Sequence, residues 1–122
     1  MNLKTMIFLF VTGLLIASCT NTTGNVVKSS KYDDFAKCLT NSGAKMYGAY
    51  WCPHCNSQKE MFGESRQYIN YIECSLPNQA GQTQFCNDAG IRAYPTWEFI
   101  GQRIEGELTL EQLSQLSGCQ LE

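Results

Sequence analysis

Cys52-Pro53-His54-Cys55 sets the only histidine of a 122-residue chain between two thiols, directly after Trp51. Three chemistries use such a pair: covalent haem attachment, a metal knuckle, and thiols that cycle to a disulfide. Haem attachment requires a histidine immediately after the second cysteine, and Asn56 stands there. A structural zinc site requires two further ligands at knuckle spacing. Cys74 and Cys86 are the candidates, but they lie twelve residues apart, so no metal is expected. Redox cycling remains. A thiol reacts as its thiolate, and Cys52 stands where a strand feeds a helix that begins at Pro53. Unpaired amides and the positive helix end favour an anion there. His54 can add positive charge or a hydrogen-bond donor to the same sulfur. Cys55 falls on the same helical face, within reach of Cys52. The spacing therefore predicts Cys52 as the exposed nucleophile and Cys55 as the more buried resolving thiol, with Pro53 and His54 tuning the pair.

The elements that must position this pair are legible around it. Residues 32–42 carry Phe35, Cys38 and Leu39 at helical spacing, with Asp33 and Asp34 at the N-terminus and Gly43 as the stop. Residues 44–50 read as a strand. A helix is expected over 53–67, since proline is tolerated in a first turn. Residues 68–73 alternate as a second strand, and 83–89 form a short helix closed by Gly90. Residues 97–100 form a third strand, Gly101-Gln102 a glycine-first hairpin turn, and 103–105 an edge strand. Thr109 and Gln112 form a capping box for the last helix, with Leu108 and Leu113 at staple positions. The order α-β-α-β-α-β-β-α predicts one α/β domain, a central mixed sheet with helices on both faces. That is a thioredoxin-like layout. Tyr94-Pro95-Thr96 falls where such folds carry a cis-proline facing the cysteines, so Pro95 is expected cis. With Tyr94 and Trp51 it would line the surface that binds an extended substrate.

Composition and the N-terminus set the compartment. Lys4 followed by the apolar stretch 6–17 is too short to span a bilayer, which takes about 20 apolar residues, and fits a secretory signal over residues 1–18. Leu15-Ile16-Ala17-Ser18-Cys19 resembles a lipobox, which makes Cys19 the lipidated mature N-terminus and residues 19–31 a flexible tether to the domain at 32–122. An ordinary signal would leave Cys19 a free thiol. Nine basic and eleven acidic residues, the basic ones falling to eight without Lys4, give no basic footprint for nucleic acid. Seven cysteines in a short exported chain indicate oxidising surroundings. Setting Cys19 aside leaves an even number. Cys74 and Cys86 suit a structural disulfide across a loop, or alternatively a second redox pair relaying to Cys52. Cys38 and Cys119 are left by elimination. Counting favours their bond, whereas first and last helices on opposite faces of the sheet would keep the sulfurs apart.

The run Gly43 to Cys55, then Glu73-Cys74-Ser75, the helix with Cys86, and Ala89-Gly90-Ile91 ahead of Tyr94-Pro95-Thr96-Trp97 closely resemble one group of domains. It is the thioredoxin-like domain fused to bacterial and plant homologues of vitamin K epoxide reductase. The resemblance implies a thiol-disulfide oxidoreductase whose only redox group is the Cys52–Cys55 disulfide, with no bound cofactor. It also implies that the domain passes disulfides to cysteine-containing exported proteins and is reoxidised by a quinone-linked membrane oxidase. With a lipid signal and no transmembrane bundle, that oxidase is expected to be a separate polypeptide, and the domain a lipid-anchored, extracytoplasmic one. The strand before the cysteines carries Lys45 and no acid, so it supplies no proton acceptor for Cys55. The other readings are an envelope thiol reductase and a non-enzymatic lipoprotein with structural or metal-binding cysteines.

Overall fold

A computed structural model describes residues 30–122. The expected signal at 1–18, Cys19 and most of the tether lie outside those residues. The elements run α1 (Asp33–Asn41), β1 (Lys45–Gly48), α2 (Pro53–Glu60), β2 (Tyr71–Glu73), α3 (Gln84–Asp88), β3 (Thr96–Phe99), β4 (Gln102–Glu105) and α4 (Leu110–Ser117). The predicted order holds. Two 3-10 segments, Gly63–Tyr68 and Pro77–Gln79, fill the connections around β2.

The sheet order is β2-β1-β3-β4. β1 and β2 are parallel, β3 runs antiparallel to β1, and β4 antiparallel to β3. The helix-containing connection into β3 therefore does not make it parallel to its neighbour. It enters beside β1 from the opposite end, and only the β1–β2 unit keeps the parallel pairing that the alternation of helices and strands suggests. Side chains alternate across the strands. Met46, Trp97 and Phe99 point into the main core with Phe35, Ala36 and Leu39 of α1, Cys55 of α2 and Leu113 of α4. Tyr47 points the other way, into a smaller cluster with Cys74, Ile91 and Cys86 of α3. The fold is a thioredoxin-like mixed α/β domain with unequal layers, three helices on one face and α3 on the other.

That layering decides the Cys38–Cys119 question. α1 and α4 share the main core, so the objection from opposite faces fails. Cys119, just past the left-handed cap Gly118, bonds Cys38 with Cα atoms 5.8 Å apart. Cys74 and Cys86 form the second disulfide, Cα atoms 5.6 Å apart. Cys74 follows β2, an edge strand of the sheet.

Several boundaries differ from the sequence reading: β1 ends at Gly48 rather than at residue 50, β2 begins at Tyr71 rather than at residue 68, and two further shifts have a visible cause. α2 ends at Glu60 instead of running to 67, because the chain turns to bury Phe62 between the Phe35 and Trp97 rings. Phe99 pairs with Gln102, so the hairpin loop is Ile100-Gly101 rather than Gly101-Gln102. The glycine takes the second loop position, where φ is +73°, a backbone setting that favours a residue without Cβ. The capping box at the start of α4 is present in both directions: Thr109 Oγ1 accepts from Gln112 N, and Gln112 Oε1 accepts from Thr109 N.

Candidate active site

β1 delivers the chain to Ala49, where a turn bonds Cys52 N to Ala49 O at 3.0 Å. Cys52 then becomes the N-cap of α2, with extended backbone (φ −77°, ψ 120°), and Pro53 opens the helix. The Cys52 carbonyl accepts from Asn56 N at 3.1 Å, and its side chain makes no capping hydrogen bond to the helix. Cys52 Sγ lies 3.7 Å from the carbonyl oxygen of Tyr94, and the Tyr94–Pro95 bond is cis. Among the described residues Cys52 and Cys55 are the cysteines without a disulfide partner.

Both thiols are more enclosed than the spacing suggests. Cys52 is 6% exposed and Cys55 0%. The order of access is the expected one, but Cys52 is a thiol at the floor of a rim rather than an open one. Burial pushes the Cys55 thiol up to about 12; a hydrogen bond from the Ala49 backbone opposes the rise, neighbouring Cys52 adds to it, and Lys59 opposes it. Cys55 is therefore a neutral thiol at working pH. Burial also raises the Tyr94 hydroxyl above the usual phenol range.

His54 stands away from the sulfurs. Its side chain is 73% exposed, and Nδ1 donates to Glu107 Oε1 at 2.8 Å, while Ser57 Oγ donates to Glu107 Oε2 at 3.2 Å. A carboxylate between the last β-strand and α4 thus holds the histidine expected to face Cys52. Trp51 and Tyr94 do come together. Their rings meet edge to face at 6.1 Å, and Trp51 Nε1 donates to Ser75 Oγ at 2.8 Å. Tyr50 and Trp51 are 46% and 42% exposed beside the pair, an apolar rim that the sequence reading found only at Trp51 and Tyr94.

Two groups around the pair went unread in the sequence. Gln58, one turn past Cys55, is fully buried. Its Oε1 accepts from Trp97 Nε1 at 3.0 Å and Leu108 N at 2.8 Å, and its Nε2 donates to Leu108 O at 2.9 Å. It pins α2 to β3 and to the entry of α4. Nothing in the polar run of α2 distinguishes it from a surface glutamine. The other group is Tyr71 with Glu73. Tyr71 Oη donates to Glu73 Oε2 at 2.9 Å, and Glu73 Oε1 accepts from Tyr50 N at 3.2 Å and Ser75 N at 2.8 Å. Burial, followed by the Glu73 contact, holds the Tyr71 hydroxyl well above the usual phenol range. A signal existed here, since alternate residues of a strand share a face.

No protein-family model matches the chain. Over 91 residues it is 43% identical to the thiol-disulfide oxidoreductase LTO1 of Arabidopsis thaliana, a match covering 71% of this chain and 24% of that protein. The chain thus spans about a quarter of the length of this curated relative. Among solved structures, oxidized glutaredoxin 2 from Chlamydomonas reinhardtii superposes with a TM-score of 0.42 at 20% identity, covering 72% of this chain and 94% of that one. The described chain is a thioredoxin-like domain similar in sequence to one segment of a plant thiol-disulfide oxidoreductase.

Proposed function

We propose that this chain is a thiol-disulfide oxidoreductase that works as an oxidant, passing the Cys52–Cys55 disulfide to cysteine-containing exported proteins. The observation that carries the reading is the partition of the cysteines. Four are locked in two disulfides, while Cys52 and Cys55 stand unbonded in one turn at a helix N-terminus beneath a cis-proline. The activity for which the plant relative is named supports it.

In this reading a substrate thiolate attacks Cys52, the more accessible sulfur. The Cys52–Cys55 bond breaks, and a second substrate thiol resolves the mixed disulfide. Two disulfides already in place suit an oxidising compartment, which favours donation over reduction. The helix N-terminus stabilises the Cys52 thiolate and so the reduced form, which makes the disulfide the stronger oxidant. The rim of Tyr50, Trp51 and Tyr94 offers apolar contact to an extended peptide. Lipidation at Cys19 would tether the domain to the outer side of a membrane, beside a separate quinone-linked oxidase that restores the disulfide. No helix among the described residues is long and apolar enough to cross a membrane.

Disulfide transfer to a reduced two-cysteine peptide tests the reaction. Given a peptide whose one cysteine is activated as its mixed disulfide with thionitrobenzoate, Cys55→Ser should attack through Cys52, release thionitrobenzoate and stay trapped as the Cys52–peptide mixed disulfide, and Cys52→Ser should trap none. Trapping through Cys55, or no transfer at all, would rule the reading out.

A further inference from the structure

Buried Cys55 must lose or gain a proton each time the disulfide forms or breaks, and β1 carries no acid to exchange it. The partner stands on β2. Gly48 of β1 separates the two groups: the point where a Cβ would sit lies 2.8 Å from Cys55 Sγ, 2.9 Å from Tyr71 Cε2 and 3.3 Å from Tyr71 Oη. The missing side chain of Gly48 is what lets the thiol and the phenol occupy one space. Tyr71 Oη in turn donates to Glu73 Oε2 at 2.9 Å. Lys59 Nζ sits 4.3 Å from the centre of the Tyr71 ring, where a cation favours negative charge developing on the phenol.

We propose that Tyr71 and Glu73 relay the proton of Cys55. The inference rests on the redox reading above. When Cys55 attacks a mixed disulfide at Cys52, its thiol proton passes to Tyr71 Oη while the Tyr71 proton passes to the Glu73 carboxylate. A bond forms between Cys55 Sγ and Cys52 Sγ, and the departing thiolate carries away the electron pair of the broken bond. In the oxidising direction each transfer reverses. A thiolate attacks Cys52, the electron pair of the disulfide goes to Cys55, and Cys55 takes the Tyr71 proton, which protonated Glu73 replaces. A phenol held above its usual range keeps its proton to hand over, and a thiol pushed up to about 12 cannot release its own without an acceptor. The titratable and charged groups that act on Cys55 are Cys52 at the N-cap of α2, Lys59 of α2, Tyr71 of β2 and Tyr94 ahead of β3, with Glu73 reaching it through Tyr71.

Reaction of the reduced full-length protein with 5,5′-dithiobis(2-nitrobenzoic acid) separates the steps. Cys52 releases the first thionitrobenzoate by attacking the reagent, and Cys55 releases the second by closing the disulfide. Tyr71→Phe removes only the hydroxyl. It should slow the second release by about 100-fold, the scale of positioned acid-base catalysis, and leave the first unchanged. The second release should then climb with pH as hydroxide replaces the relay. Glu73→Gln keeps an acceptor oxygen for its two backbone donors and should reproduce the effect. A second release unchanged in Tyr71→Phe, or both releases slowed alike, would overturn the relay and leave the redox reading standing. A wild-type protein that never forms the Cys52–Cys55 disulfide would overturn both.

Discussion

Cys52 and Cys55 occupy one turn of helix, yet only Cys55 is carried to complete burial, and that difference assigns their roles. The spacing made the pair legible, because a helix brings residues three apart to one face. It could not show that His54 turns outward, since the Glu107 that holds it lies 53 residues away. The raised Cys55 thiol has a consequence for stability. Its folded value stands at about 12 against an ordinary 9.0. A raised value means that the folded state holds the proton longer. The contribution is then full below about pH 9 and is lost as pH rises towards about 12. Reduced protein should lose stability over that window, and protein oxidised at Cys52–Cys55 should not. Chemical denaturation of both forms at pH 8 to about 11.5 checks this; parallel curves would contradict it.

At the scale of elements, periodicity and caps located α1 to α4 and β1 to β4 but not the two 3-10 segments, and the capping box of α4 was readable to the residue. The failures came where a long-range contact outweighed local pattern. Phe62 ends α2 early by entering the core, and strand pairing shifts the hairpin loop by one residue. Gln58 is the clearest case. Its neighbours in sequence are exposed or polar, and only the assembled fold buries it against Trp97 and Leu108. Gln58→Leu would strand Trp97 Nε1 and Leu108 N without acceptors. Each unsatisfied buried group costs about 1–3 kcal/mol, so a loss of about 2–6 kcal/mol for the two is expected in urea unfolding. A loss below about 1 kcal/mol would show that the pin is not structural.

For the whole molecule, the two disulfides hold a small domain together at different ranges. Cys74–Cys86 spans 12 residues, and Cys38–Cys119 spans 81, joining the first helix to the end of the last. In the chain-entropy account a loop of about 15 residues gives about 3 kcal/mol and one of about 100 gives about 4.7. Replacing Cys38 and Cys119 with alanine should therefore cost about 4 kcal/mol, more than replacing Cys74 and Cys86. Disulfide transfer by the folded fraction should persist in both variants. Loss of transfer in the folded Cys74→Ala, Cys86→Ala protein would instead mark that pair as a redox relay. Counting cysteines pointed to the long bond; the layering of α1 and α4 on one face was beyond the sequence pattern.

The direction of electron flow is the central claim, and the equilibrium potential of Cys52–Cys55 against glutathione measures it. Stabilisation of the Cys52 thiolate at the helix N-terminus should raise the pair above thioredoxin's value of about −270 mV, into the range of disulfide donors between about −230 and −120 mV. Cys38–Cys119 and Cys74–Cys86 should stay oxidised at potentials where Cys52–Cys55 is already reduced. A potential at or below about −270 mV would make the chain a reductant and contradict the account.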